Sequence, residues 1–85
     1  MAQGMGRTLN ISEGGILLET HIPMDPRNAI ALAIGLEDDL INIKGTVVFS
    51  AAGKDEKYEA GIEFQEMSDS TLDILKKFII AFSEQ

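Results

Sequence analysis

Alternation with a period of two residues runs through most of this 85-residue chain and gives way, near its end, to a helical period. Arg7 to Asn10 is long enough for a short strand. Ile16 to Thr20 reads as its partner, with Ile16, Leu18 and Thr20 on one face and Leu17 and Glu19 on the other. Between them Ser12 to Gly15 has the length and composition of a hairpin turn, and Gly14-Gly15 suits a sharp reversal. Pro23 and Pro26 break any regular element and predict a surface turn at Met24-Asp25. Asn28 to Gly35 alternates Ile30, Leu32 and Ile34 with Ala29, Ala31 and Ala33, a strand with one filled face and one thin one. Leu40 to Ser50 is the longest strand, with Ile41, Ile43, Val47 and Phe49 expected on a single face and Gly45 marking a bulge or bend within it. Tyr58 to Phe64 alternates strictly, Tyr58, Ala60, Ile62 and Phe64 inward and Glu59, Gly61 and Glu63 outward.

After Glu66 the period changes. Leu72, Leu75, Ile79 and Phe82 form one stripe of a helix expected over about 69–82, capped by Ser68 or Ser70, the latter at capping-box spacing from Asp73. Ile74, Phe78 and Ile80 widen the stripe, which predicts that the helix is covered on a second side. Short antiparallel strands followed by one helix imply a mostly β fold in a single domain spanning 1–85. Its architecture would be a small, split antiparallel barrel of about five strands closed by a C-terminal helix.

Composition removes several function classes. The net charge of −7, from 14 acids and 7 scattered bases, argues against binding long nucleic acid or an anionic membrane. No apolar run reaches the roughly 18 residues of a membrane span. The absence of cysteine leaves no disulfide and no thiolate metal site, and fits a cytoplasmic setting. The single histidine, His21, has no nucleophile and spaced acid around it; Glu59 and Glu63 read as a solvated pair. Glu37-Asp38-Asp39 reads as a solvated loop tip, lacking the spaced glycine and distal glutamate of a calcium loop. No Gly-Lys-Ser/Thr follows Gly14-Gly15, so this is not a phosphate loop. Neither catalysis, a metal nor a cofactor is expected.

One constellation is left. Asn10 and Ser12, two apart on an extended backbone, point the same way into a glycine turn. Such side chains either bond their own backbone or present polar groups to a small ligand.

The stretch Gly6-Arg7-Thr8-Leu9-Asn10-Ile11-Ser12-Glu13-Gly14-Gly15 resembles the core of a PilZ domain, whose signature [D/N]-x-S-x-x-G is met by Asn10, Ser12 and Gly15. The similarity continues through Gly45-Thr46-Val47-Val48, Tyr58-Glu59-Ala60-Gly61-Ile62-Glu63-Phe64 and the Ser68 to Phe82 helix, in the family's order. The resemblance implies a bacterial, non-catalytic β-barrel module that binds the second messenger cyclic di-GMP. Asn10 would offer a carbonyl to a guanine edge, Ser12 a hydroxyl and Gly15 a backbone free of Cβ, with Gly14 and Arg7 as further candidates.

The family's other half-site, an R-x-x-x-R motif whose arginines hold the phosphates, is missing from this chain, and its usual first strand is expected to be missing too. Loss of two charge-assisted contacts at about 1.5–3 kcal/mol each predicts affinity weakened by at least about two orders of magnitude. An open sheet edge and the wide helix face point to homodimerisation or docking on a protein partner. The alternative reading is a PilZ-like adaptor working through protein contacts alone.

Overall fold

The computed structural model describes residues 6–36 and 39–84. Five strands, β1 (Arg7–Ile11), β2 (Gly15–Thr20), β3 (Ala29–Leu36), β4 (Asp39–Ala52) and β5 (Tyr58–Phe64), precede one helix, α1 (Asp69–Ser83). They form one antiparallel sheet in the order β1-β2-β5-β4-β3, so among the described residues β1 and β3 are the edge strands and the sheet is an open half-barrel. The acidic tip at Glu37-Asp38 falls outside the described residues.

Side-chain volume gathers on the inner, concave face. Ile16 and Leu18 from β2, Ile43 and Val47 from β4, and Ile62 from β5 are all buried there, with Ile11 joining from β1. Thr20 is buried as well, and its hydroxyl donates to the Ile22 carbonyl at 2.7 Å, which offsets the cost of removing it from water. The helix closes this face, resting chiefly against β4, with Leu75 wholly buried and Leu72, Ile74, Phe78, Ile79 and Phe82 packed around it. Most of the apolar stripe is thus used within the chain, packed against the core. Ile80 alone of the stripe's large residues stays well exposed, at 60%.

Local chemistry departs from the sequence expectations at four places. Ser68, one of the two expected caps, closes the helix start, its hydroxyl accepting from the Thr71 amide at 3.2 Å, and it is the expected capping box of Ser70 and Asp73 that does not form. Met24 is not part of a surface turn. Its amide donates to the Ser50 hydroxyl at 3.3 Å and its side chain packs on the core. The turn lies one step later, at Asp25–Asn28, with Pro26 fixing the first central residue and Arg27 at φ 75° the second, the geometry of a type II turn. Gly45 makes no bulge: its pairing with Phe64 runs in register to Val47 with Ile62, and a Cβ at Gly45 would lie 2.6 Å from Ile62 Cγ2. It is small because Ile62 fills its space. Phe49 does not share the inner face with Val47, because the strand slips at Val48.

The β4–β5 hairpin turns through Asp55 and Glu56, both left-handed at φ 56° and 63°, with Lys57 N–H donating to the Lys54 carbonyl at 3.0 Å. Two successive positive φ angles define a type I′ turn, which matches the twist of the strands it joins.

Candidate functional site

Two irregularities give the outer face its character. On β1, Thr8 pairs with Leu18 but Asn10 pairs with Leu17, so Leu9 is an extra residue. In a regular strand Asn10 would share the inward side of Thr8. The bulge instead sends Asn10 outward and returns Ile11 to the core. On β4, Val47 pairs with Ile62 but Phe49 pairs with Gly61, so Val48 is extra. That slip turns Phe49 outward, and leaves Val48 and Phe49 54% and 45% exposed.

The residues so displaced meet. Asn10, Leu17, Gly61 and Phe49 follow one another across four strands in a single rung of the outer face. Gly61 lacks a side chain because the Phe49 ring lies over it: a Cβ there would be 2.6 Å from Phe49 Cδ1. Together with the β1–β2 turn they line an open groove of about 380 Å³, into which Asn10, Ser12, Gly14, Gly15, Val48, Phe49 and Glu63 all contribute.

The turn is closed by its own hydrogen bonds. Ser12 N–H donates to the Gly15 carbonyl at 2.9 Å, and the Ser12 hydroxyl accepts from Gly14 N–H at 3.3 Å and donates to the Gly15 carbonyl at 3.4 Å. Asn10 Oδ1 accepts from the Ile11 amide at 2.9 Å. The two side chains therefore hold the turn and yet keep capacity for a ligand. Asn10 retains a second carbonyl lone pair and its NH₂, and the Ser12 contacts are long enough for the hydroxyl to turn. Both residues are exposed.

Glycine serves this turn differently from the sequence expectation. No glycine among the described residues has a positive φ. Gly15 is required by proximity instead, since a Cβ would stand 2.5 Å from the Ile62 carbonyl oxygen, whereas a Cβ on Gly14 would meet nothing within 4 Å. Gly14 leaves the mouth of the groove open.

Charge varies along the strand direction. The rung on one side of the apolar floor is Gly15, Glu63 and Thr46; the rung on the other is Arg7, Glu19, Glu59 and Ala51. Arg7 therefore lies off the groove, paired with Glu19 at 3.4 Å. Glu13, at the tip of the turn, reaches Lys76 of α1 at 4.0 Å, an exposed pair that links the turn to the helix. Among the described residues no group of three His, Cys, Asp or Glu side chains is arranged to hold a metal ion.

Phe49 and Val48 were hidden from the sequence reading, although a signal existed. Val47-Val48-Phe49 is a run of three apolar residues in a strand of period two, and Gly61 is a gap on the facing strand. Together they point to a slip that puts an aromatic ring over a glycine.

The chain is thus a half-barrel of five antiparallel strands closed by one helix, with a polar turn beside an outer groove. The family model for the PilZ domain matches residues 2–81, and the chain belongs to that family. PilZ domains are a family of cyclic di-GMP-binding modules, with binding or adaptor roles rather than catalytic ones. No curated protein and no solved structure gives a match.

Proposed function

We propose that this chain is a non-catalytic signalling module that binds cyclic di-GMP in the outer-face groove. The observation that carries the reading is the meeting of Asn10, Ser12 and Gly15 with the exposed Phe49 and Val48 in one groove. A guanine needs an apolar surface for its face and acceptors for its N1–H and N2–H₂ edge. Phe49 and Leu17 provide the surface, and Asn10 Oδ1, Ser12 Oγ and Glu63 provide acceptors around it. Gly14 leaves the approach unobstructed. Titration of cyclic di-GMP followed by amide chemical shifts tests this. Saturable shifts at Asn10 to Gly15 and at Val48-Phe49, weaker with cyclic di-AMP, are the expected result. Silence at high micromolar ligand would remove the reading.

A second reading, self-association, rests on the β3 edge. Ala29–Leu36 carries no charge, no proline and no bulge, the devices that usually keep an edge strand from pairing. Antiparallel pairing of β3 with a second copy about Leu32 would set Ile30 against Ile34 and keep the inner faces continuous. Ile80 on the helix is a further exposed apolar residue. A mass that doubles with concentration in light scattering supports the homodimer; a monomer throughout a wide range excludes it. If the chain docks on another protein and binds no nucleotide, it is an adaptor.

A further inference from the structure

Arg7 and Lys57 converge on one carboxylate, that of Glu19. Arg7 Nε lies 3.4 Å from Glu19 Oε1, Arg7 Nη2 donates to Oε2 at 3.5 Å, and Lys57 Nζ lies 3.6 Å from Oε1. Glu19 is the enclosed member, its side chain 14% exposed, while those of Arg7 and Lys57 are 72% and 37% exposed. The cations thus cover the acid and turn their remaining donors to solvent on the same outer face as the groove.

Strand register fixes where this cluster lies. Glu19 is two residues from Leu17, and Glu59 opposite it is two residues from Gly61. The cluster is therefore one rung, about 6.6–6.8 Å, from the apolar floor of the groove. On the far side of that floor stands Glu63, with Lys44 on the next rung beyond it. An extended ligand carrying both an apolar ring and an anionic group has one favourable direction on such a surface. Its ring lies on Leu17 and Phe49, its hydrogen-bond donors face Glu63 and Asn10, and its anion lies toward Arg7 and Lys57. In a nucleotide the ribose separates base from phosphate by a span of the same order as one rung.

We propose that Arg7 and Lys57 form a phosphodiester subsite contiguous with the groove, and that Glu19 is its resident counter-ion, which the ligand's phosphate displaces. The proposal rests on the cyclic di-GMP reading for the ligand's identity, and on the strand register and three ion-pair distances for the subsite itself. The contacts to Glu19 are at the long end of ion-pair geometry and largely solvated, so they are loosely held and exchangeable. Arg7 keeps free guanidinium donors for a phosphate oxygen, and Lys57 can reorient its ammonium without moving its backbone. Glu19, and Glu59 in register with it, make the empty subsite electrically neutral. A dianionic ligand therefore binds against local competition in addition to the overall charge of −7. The arrangement places the phosphate on different residues from an upstream arginine pair.

The test compares the unaltered chain with Glu19→Gln and with the double variant Arg7→Ala, Lys57→Ala, each first shown to be folded by its amide spectrum. Cyclic di-GMP affinity is expected to rise about three- to tenfold in Glu19→Gln, because each exposed ion pair is weak and two are removed. It is expected to fall at least about tenfold in the double variant, with a shallower salt dependence. A second arm titrates inorganic pyrophosphate into Glu19→Gln and follows the Arg7 Nε–H and Lys57 side-chain resonances. Shifts there support the subsite even if no variant binds the nucleotide, in which case the nucleotide reading alone fails. Unchanged nucleotide affinity in both variants, or silent Arg7 and Lys57 resonances with pyrophosphate, overturns the subsite and leaves the groove reading standing.

Discussion

The two faces of the sheet obey opposite packing requirements. On the inner face Ile16, Leu18, Ile43, Val47 and Ile62 supply volume, and Leu75 of α1 fills what they leave. On the outer face the critical positions supply emptiness: Gly15 makes room for the Ile62 carbonyl, Gly61 for the Phe49 ring, and Gly14 for whatever enters the groove. The lesson is that the same strands, at alternate residues, serve stability on one side and access on the other. A substitution should therefore harm whichever property its face provides.

The largest effect is expected on the inner face. Leu75→Ala removes a wholly buried side chain and should cost about 2–5 kcal/mol, seen as a fall in the urea midpoint. Against a total stability on the order of 5–15 kcal/mol for such a domain, this approaches unfolding. An unchanged midpoint would show that the helix is not the lid of the core.

Gly15→Ala tests whether an outer-face glycine can also govern stability. Its Cβ would press on the Ile62 carbonyl, 2.5 Å away, which is backbone and can yield only if β2 and β5 separate. A loss of roughly 1–3 kcal/mol is expected, with slowed or lost pairing visible as faster amide exchange at Phe64. Gly61→Ala should break the comparison more cleanly. The obstacle there is the Phe49 ring, a side chain that can swing aside, so the cost should stay near about 1 kcal/mol while the groove loses its aromatic wall. Unfolding curves should barely move. The ring resonances of Phe49 should shift, and nucleotide-induced changes at Asn10 to Gly15 should diminish.

The smallest effect belongs to a site on neither face. Glu56 is held at φ 63° in the type I′ turn, where glycine is favoured, and Glu56→Gly should stabilise the chain by about 0.5–1 kcal/mol in the same urea experiment. Unchanged groove resonances in that variant would confirm that turn strain and site geometry are independent.

The inner face was largely legible in the sequence. Alternation assigns Ile16, Leu18, Ile62 and Phe64 to it, and the helical stripe picks out Leu75, because burial of one face imposes a period that survives any detail of register. The outer site was legible only where a motif announced it. The motif residues Asn10, Ser12, Gly14 and Gly15 do line the groove, whereas alternation puts Phe49 on the inner face and Arg7 lies outside the lining. The Phe49 difference comes from a bulge, whereas Arg7 shares the outer face with Asn10 and lies one rung away along the strand. A bulge changes parity without leaving a marker residue, and neither Leu9 nor Val48 is the glycine that a bulge is often taken to need. Gly45 looked like such a marker and instead reflects the bulk of Ile62. The convergence of Arg7 and Lys57 on Glu19 joins residues far apart in the chain and follows only from strand order, which periodicity does not encode.

Leu9 and Val48 have a further property as the unpaired members of their ladders. Each could be excised and leave every other pair of its strand in place, since the partner strand has no residue waiting opposite. Elsewhere in β1 or β4 a one-residue deletion throws all that follows onto the other side of the sheet. The chain thus carries two positions at which its length can change without a frameshift of its faces. They stand on opposite banks of the groove, one beside Asn10 and one beside Phe49, so related chains could vary in length there and still present the same two walls.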